Sequence, residues 1–164
     1  MNVQANLLAE TFSKTREISM LYLNKLSEAD PEKVVELNGI KLNSIYWLAA
    51  HLTWAEHRLV LEASGGTSLT IPWLNHYGIG SDGTLHAEHI EFKIVLEQMQ
   101  IVHIEAMKRL TEITDEVLAQ PAAIKLRSDG TSLLKSVIQH AIRHEGTHAG
   151  HLGWLAKLNG VKTF

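Results

Sequence analysis

Apolar residues recur every three or four positions along four separate stretches of this sequence, a spacing that places them on one face of a helix. The stretches cover approximately residues 4–28, 43–63, 86–114 and 131–159. No run alternates apolar and polar residues as a half-buried strand does, and only the AAIKLR segment at 122–127 could be a short extended piece. Four amphipathic helices without a sheet predict an all-α four-helix bundle.

Proline, glycine and small polar residues mark where these helices begin and end. All three prolines fall between the periodic stretches, at positions 31, 72 and 121. We expect Asn43 or Ser44 to cap the second helix, and the fourth helix to begin near Thr131 or Ser132. Gly160 stands where a glycine typically terminates a helix, directly after the last periodic residues.

A long segment from about residue 65 to 84 connects the second predicted helix to the third. It is rich in glycine, serine and threonine, but it also contains Trp73, Leu74 and Tyr77. A connection of this length in a compact domain is usually either functional or disordered. The aromatic residues favour a crossover loop that packs down on the bundle.

Length and charge limit the class of protein. The chain has 164 residues, which fits one domain, so we predict a single bundle domain over 1–164. The net charge is −3, and no basic patch indicates a nucleic-acid partner. The N-terminal residues do not resemble a signal peptide, and no stretch reaches the roughly 18 consecutive apolar residues of a membrane helix. We therefore expect a cytoplasmic protein with no nucleic-acid or membrane partner.

The chain contains no cysteine but ten histidines. Disulfides, thiolate metal ligands and a cysteine nucleophile are therefore excluded. A transition-metal site in this chain would be built from imidazole, carboxylate and water, a ligand set that suits zinc, nickel or iron.

Three histidines fall on the predicted buried faces. His144 and His148 continue the apolar stripe of the fourth helix, and residues four apart project from one side of a helix. His51 lies in the apolar stripe of the second helix. Burying several imidazoles is costly unless each has a partner, and one divalent cation would satisfy all three. We predict a metal site of His51, His144 and His148 with open positions for water or substrate.

Two further histidines lie close to the same helix face. His151 lies near the apolar stripe, and His140 lies at its opposite edge. Either residue could be a fourth ligand, and a filled coordination sphere would favour a structural site over a catalytic one.

The remaining histidines are predicted to have other roles. His57 falls toward the polar side of the second helix, and His103 is expected to be a hydrogen-bonded core or interface residue. His76, His86 and His89 belong to the long loop or its end, where solvent exposure is the default.

The segments NSIYWLAAHLTWAEHRLV and HEGTHAGHLGWLAKLNG together resemble the DinB/YfiT-like superfamily of metal-dependent enzymes. In that family a histidine of the second helix and an H-x-x-x-H pair of the last helix bind one divalent metal ion. These positions correspond to His51, His144 and His148. The family commonly continues with R-G-Q-L, where this chain has A-G-H-L at 149–152.

The resemblance implies a four-helix bundle with a long crossover, usually dimeric, that binds zinc or nickel, with iron or manganese as other options. Characterised relatives include thiol S-transferases and an isomerase that use bacillithiol, mycothiol or glutathione. It therefore implies a small-molecule thiol and an electrophile as substrates of this chain. The thiol must be a cosubstrate because the chain has no cysteine. Four aromatic residues would shape an apolar pocket, although core packing is the simpler role for each: Trp47, Trp54, Trp73 and Tyr77.

A metal-dependent transferase is the leading prediction because no carboxylate base is expected at the site. Glu145 lies about 100° around the helix from His144, and Glu56 about 140° from His51. A metal-dependent hydrolase is the first alternative, and it would use His151 as the acid or base. A metal-binding dimeric bundle without turnover is the second.

Overall fold

Four long helices build the fold in the computed structural model, which describes residues 2–66, 68–81, 90–126 and 132–163. The helices are α1 (Val3–Lys25), α2 (Ile45–Glu56), α3 (Phe92–Glu112) and α5 (Leu134–Leu158). They contact one another in a ring, α1 with α5, α5 with α2, α2 with α3 and α3 with α1. The predicted all-α class is confirmed.

Short elements connect the long helices. A two-stranded antiparallel hairpin joins α1 to α2, with β1 (Glu36–Leu37) paired to β2 (Ile40–Lys41). Asn38 and Gly39 form its turn with φ values of 51° and 79°, as a two-residue hairpin turn with the sheet's own twist requires. The sequence analysis predicted neither this hairpin nor the single helical turn α4 (Asp115–Leu118).

The second helix begins as predicted but changes its hydrogen-bonding pattern before its end. Ser44 is the cap, because its Oγ accepts the Trp47 N–H at 3.1 Å. After Glu56 the helix continues as a π-helical segment over His57–Glu62. The chain then turns at Gly65 with a φ of 65°, close to the predicted end.

The fourth long helix ends where predicted and begins close to the predicted start. It begins at Leu134, two residues after Ser132, and Leu133 occupies the cap position without a side-chain hydrogen bond, while Thr131 lies outside the described residues. The backbone here is engaged instead in extended pairing, with Ala122 N–H donating to Ser132 O at 2.9 Å. Gly160 follows the helix with a φ of 73°, and two backbone hydrogen bonds close the last turn around it.

The third helix begins later than predicted. Ile90 and Glu91 are not helical, and predicted positions 86–89 lie outside the described residues. Tyr46 Oη donates to Ile90 O at 2.8 Å, which fixes the chain just before α3. The predicted packing of the loop aromatics is confirmed, because Trp73, Leu74 and Tyr77 are buried beside a 3-10 turn over Leu74–Tyr77. In the described part of the chain, none of the helices combines the length and apolar character needed to span a bilayer.

Candidate metal centre

Helices α2 and α5 bring three histidines together inside the bundle. The cluster consists of His51, His144 and His148, and each offers a ring nitrogen within 4.8 Å of the other two. The closest approach joins His51 Nε2 to His144 Nε2 at 3.1 Å. Three imidazole nitrogens converging on one point can hold a single divalent cation. We call this group the histidine cluster.

His51 is held by the crossover loop and by two tryptophans. Its Nδ1 lies 2.6 Å from Tyr77 O, which fixes the proton on Nδ1 and leaves the Nε2 lone pair directed at the cluster. The ring stacks on Trp47 with 4.4 Å between centroids and on Trp54 with 5.5 Å. A side chain at Gly78 would approach Trp54 to 3.0 Å, so glycine lets the loop lie this close. The loop carbonyl thus orients a candidate ligand.

Burial keeps the cluster uncharged. Desolvation, followed by the other imidazoles, lowers the pKa of His144 to about 4 and of His148 to about 3. Desolvation also lowers the pKa of His51, although its hydrogen bond to Tyr77 O works in the opposite direction. Near neutral pH all three rings therefore offer lone pairs rather than positive charge, as metal ligation requires.

The two neighbouring histidines on α5 lie outside the convergent trio. His151 is exposed, and its Nδ1 lies 3.1 Å from Nδ1 of His148. His140 is half-buried, and its Nδ1 accepts from Nη2 of Arg143 at 2.6 Å. His151 therefore contacts His148, a member of the histidine cluster, directly.

A second buried polar cluster joins four helices close to the first. Arg16 of α1 forms a two-pronged ion pair with Glu145 of α5, at 3.0 Å and 2.9 Å, and its Nη2 lies 2.8 Å from Oε2 of Glu56 of α2. Ser19 donates to Glu145 at 2.6 Å, and His103 of α3 lies 2.7 Å from Oε1 of Glu56. We call this group the Arg16 cluster. It confirms the predicted role of His103 as a hydrogen-bonded core residue.

The Arg16 cluster decides the role of the glutamate between the two α5 ligands. Residues 144–148 read H-E-x-x-H, the helical metalloprotease pattern in which the glutamate is the general base. The angular offset of Glu145 does not exclude that role, because the glutamate of this pattern always follows the first histidine directly. The contacts of Glu145 exclude that role, because the residue is 2% exposed and both its oxygens are engaged by Arg16 and Ser19.

Two other histidine predictions have opposite outcomes. His57 was expected on the polar side of α2, but this prediction is wrong, because the residue is 4% exposed. Its Nε2 accepts the Leu69 N–H at 3.0 Å, and its Nδ1 lies 3.2 Å from Glu62. The loop covers the π-helical segment here, which periodicity along one helix cannot reveal. His76 is exposed as predicted, and His86 and His89 lie outside the described residues.

Two grooves open along the seam of α2 and α5 beside the histidine cluster. The His144 groove, about 350 Å³, is lined by residues that include Trp54, Arg58 and His144. The His151 groove, about 290 Å³, is lined by residues that include His151 and Trp154. The end of α2 thus meets the earlier part of α5, and the two helices run antiparallel.

The predicted pocket aromatics occupy different places. Trp54 lines the His144 groove. Trp47 is buried and donates through Nε1 to Ser81 Oγ at 3.0 Å. Trp73 and Tyr77 are buried in the core with 5.8 Å between ring centroids.

Several of the groove residues were not predicted from the sequence. Arg58 lies four residues after Trp54, so the helical period could have placed it on the same face. Lys125 carried no such signal, because its extended segment reaches the groove only through the tertiary fold.

Comparison with known proteins agrees with this arrangement. No curated protein matches the chain. The family model for the DinB superfamily matches residues 11–152, which include all three residues of the histidine cluster. The match covers most of the chain, and the protein belongs to the DinB superfamily.

Proposed function

We propose that this protein is a metal-dependent enzyme that transfers a low-molecular-weight thiol to an electrophile. One observation carries the proposal, the convergence of three imidazole nitrogens within 4.8 Å with no carboxylate among them. His51, His144 and His148 would hold the cation, and their uncharged state near neutral pH fits that role. Such a set accepts zinc or nickel, and also iron or manganese, according to which ion is available.

The surrounding residues support thiol chemistry over water chemistry. A bound cation would lower the pKa of a coordinated thiol so that the thiolate forms near neutral pH. Tyr77 O orients His51, and the flanking tryptophans Trp47 and Trp54 shield that ring from water. The two nearby carboxylates, Glu56 and Glu145, are engaged by Arg16. A thiolate nucleophile needs no separate proton acceptor, whereas hydrolysis usually does.

A metal-dependent hydrolase is the second candidate, and His151 is the observation in its favour. This residue is exposed and lies within 3.1 Å of His148, where an imidazole could accept a proton from water.

The experiment compares two reactions on protein that is purified without a nickel column and analysed for its metal. One assay follows conjugation of a simple electrophile with bacillithiol, mycothiol or glutathione, and the other follows hydrolysis of esters and amides. We expect conjugation to require metal and to survive His151→Ala. Hydrolysis that disappears with His151→Ala, together with no conjugation, would replace the transferase with the hydrolase.

We also propose that the protein is a homodimer, as the family resemblance implies. Three isoleucines on the outer side of α3 support this proposal because they remain exposed in the single chain: Ile94, Ile101 and Ile104. Sedimentation at micromolar concentration is expected to give twice the mass of one chain. A mass near 18.3 kDa would contradict the proposal.

A further inference from the structure

The His144 groove and the His151 groove differ in charge. Arg58 and Lys125 both line the His144 groove, Asn75 adds a neutral amide, and none of its described lining residues is an aspartate or glutamate. Arg58 donates through Nη1 to Glu62 Oε2 at 3.0 Å, which fixes the guanidinium beside the groove. Lys125 is exposed and extends the positive wall. The pair with Glu62 offsets part of the Arg58 charge, and Arg58 and Lys125 together place a guanidinium and an ammonium in the groove that His144, a member of the histidine cluster, also lines.

The His151 groove has a more apolar wall. Leu48 and Leu155 are buried beneath it, and the Trp154 ring, which is 65% exposed, forms one side. One lysine, Lys41, also lines the His151 groove. An exposed indole above buried leucines suits an apolar or aromatic group better than an anion.

We propose that the His144 groove binds the carboxylate-bearing part of a small anionic substrate, with Lys125 and Arg58 as its binding residues. The guanidinium can bind a carboxylate through two parallel N–H groups, and the ammonium adds a point charge. A groove of about 350 Å³ falls in the range of small-molecule pockets. As a substrate assignment the inference rests on the proposed function, because it directs the charged end of a carboxylate-bearing thiol to one side of the histidine cluster.

The His151 groove then remains for the apolar electrophile. The two grooves lie toward opposite ends of the α2–α5 seam, one reaching His144 and the other reaching His151, which contacts His148. Two substrates entering in this way would approach one another at the cluster without competing for one opening.

The test measures succinate binding to the zinc-loaded protein by calorimetry at fixed ionic strength, with neutral succinamide as the matched ligand. Lys125→Glu is expected to weaken succinate binding about tenfold, because it places a like charge beside the carboxylate. Lys93→Glu makes the same change in net charge at an exposed position of α3 that lines neither groove. It is expected to change succinate binding by less than about twofold, because surface charges at long range are screened.

The outcomes separate this inference from the proposed function. Equal weakening by Lys93→Glu would reduce the effect to net charge, and weakening by Lys41→Glu alone would move the anion to the His151 groove. Either result overturns the inference, as does wild-type protein that binds succinate no better than succinamide. Direct binding of succinate to zinc would be insensitive to Lys125→Glu, which also overturns it. Lysine-dependent succinate binding without thiol conjugation would instead leave the groove assigned and the transferase function wrong.

Discussion

The histidine cluster and the Arg16 cluster lie side by side in the bundle and use neighbouring residues of the same helices. His144 and Glu145 are consecutive on α5, and His51 and Glu56 share α2. In the Arg16 cluster one guanidinium contacts two carboxylates and an imidazole contacts one of these, so each charged group has a partner within the protein. The histidine cluster brings together three neutral rings whose lone pairs converge without a positive partner of their own.

This difference separates a structural group of buried polar residues from a site for a ligand. Buried charges are tolerated when they are paired, and the Arg16 cluster pairs its charges with residues from all four long helices, although Nη1 of Arg16 has no hydrogen-bond partner among the described residues. Three neutral imidazoles directed at one point can each give a lone pair to a single cation. The Arg16 cluster is therefore expected to control the stability of the bundle, and the histidine cluster its metal content.

The largest expected effect is the loss of metal from the histidine cluster. His148→Ala removes one of three ligands, so most of the metal should be lost, and elemental analysis after purification without a nickel column measures this loss. His140→Ala is the control, because His140 contacts Arg143 on the same helix and lies outside the histidine cluster. The His140→Ala protein should therefore keep its metal. Full metal occupancy in His148→Ala, with loss in His140→Ala, would show that the ligand pair is His140 and His144.

The next effect concerns stability rather than metal. Arg16→Met leaves two buried carboxylates without their cation, and breaking a buried pair in this way costs about 3–5 kcal/mol of the free energy of unfolding. Urea unfolding of the metal-free variant measures it. Lys14→Met breaks an exposed pair with Glu17 on the same helix and should change the free energy of unfolding far less than Arg16→Met does, because water screens exposed pairs. Equal effects of the two substitutions would contradict a structural role for the Arg16 cluster.

A smaller effect is the response of the metal-free protein to pH. The pKa values of His144 and His148 are lowered in the folded state, to about 4 and about 3, from 6.5. As the pH falls below about 6.5, the unfolded chain binds protons that the folded chain does not, so the free energy of unfolding decreases toward pH 4. Above that range the two rings contribute no pH dependence.

Urea unfolding of metal-free protein at a series of pH values measures this slope. His148→Ala should give a shallower decrease than the wild-type protein between about pH 6.5 and 4, because one of the three rings whose pKa is lowered is gone. An identical slope in wild type and His148→Ala would show that burial does not lower the pKa of this histidine in the folded protein.

Most of the helical fold follows from local signals in the sequence. Apolar periodicity predicts the four long helices, and Ser44 and Gly160 act as the local helix signals that their positions indicate. The position of the histidine cluster on the buried faces follows from the same periodicity, because ligands on a helix share its spacing.

The parts that the sequence did not reveal depend on contacts between distant segments. The π-helical segment after α2 differs from an α-helix in its hydrogen bonds, and the spacing of apolar residues in the sequence does not reveal this difference. The burial of His57 under Leu69 therefore could not be predicted from local sequence. Arg16 and Glu145 are separated by 129 positions, and no periodicity along either helix pairs them. The partner of His51 is the backbone carbonyl of Tyr77, and a backbone atom leaves no mark on residue type.

The smallest predicted effect concerns the crossover loop that contains Tyr77 and Gly78. This loop contacts His51 of the histidine cluster, whereas the contacts described for the Arg16 cluster involve no residue of the loop. Gly78→Ala places a methyl group 3.0 Å from the Trp54 ring, so either the ring or the loop must move. We expect a cost of about 1 kcal/mol in stability and a several-fold weaker affinity for zinc, because Tyr77 O no longer holds His51 in place. Gly150→Ala is the control, because Gly150 is an exposed residue of α5 where an added methyl group meets no atom within 4 Å. Competition with a zinc chelator measures the affinity. An unchanged affinity in Gly78→Ala would show that the tryptophans, rather than the loop carbonyl, orient His51.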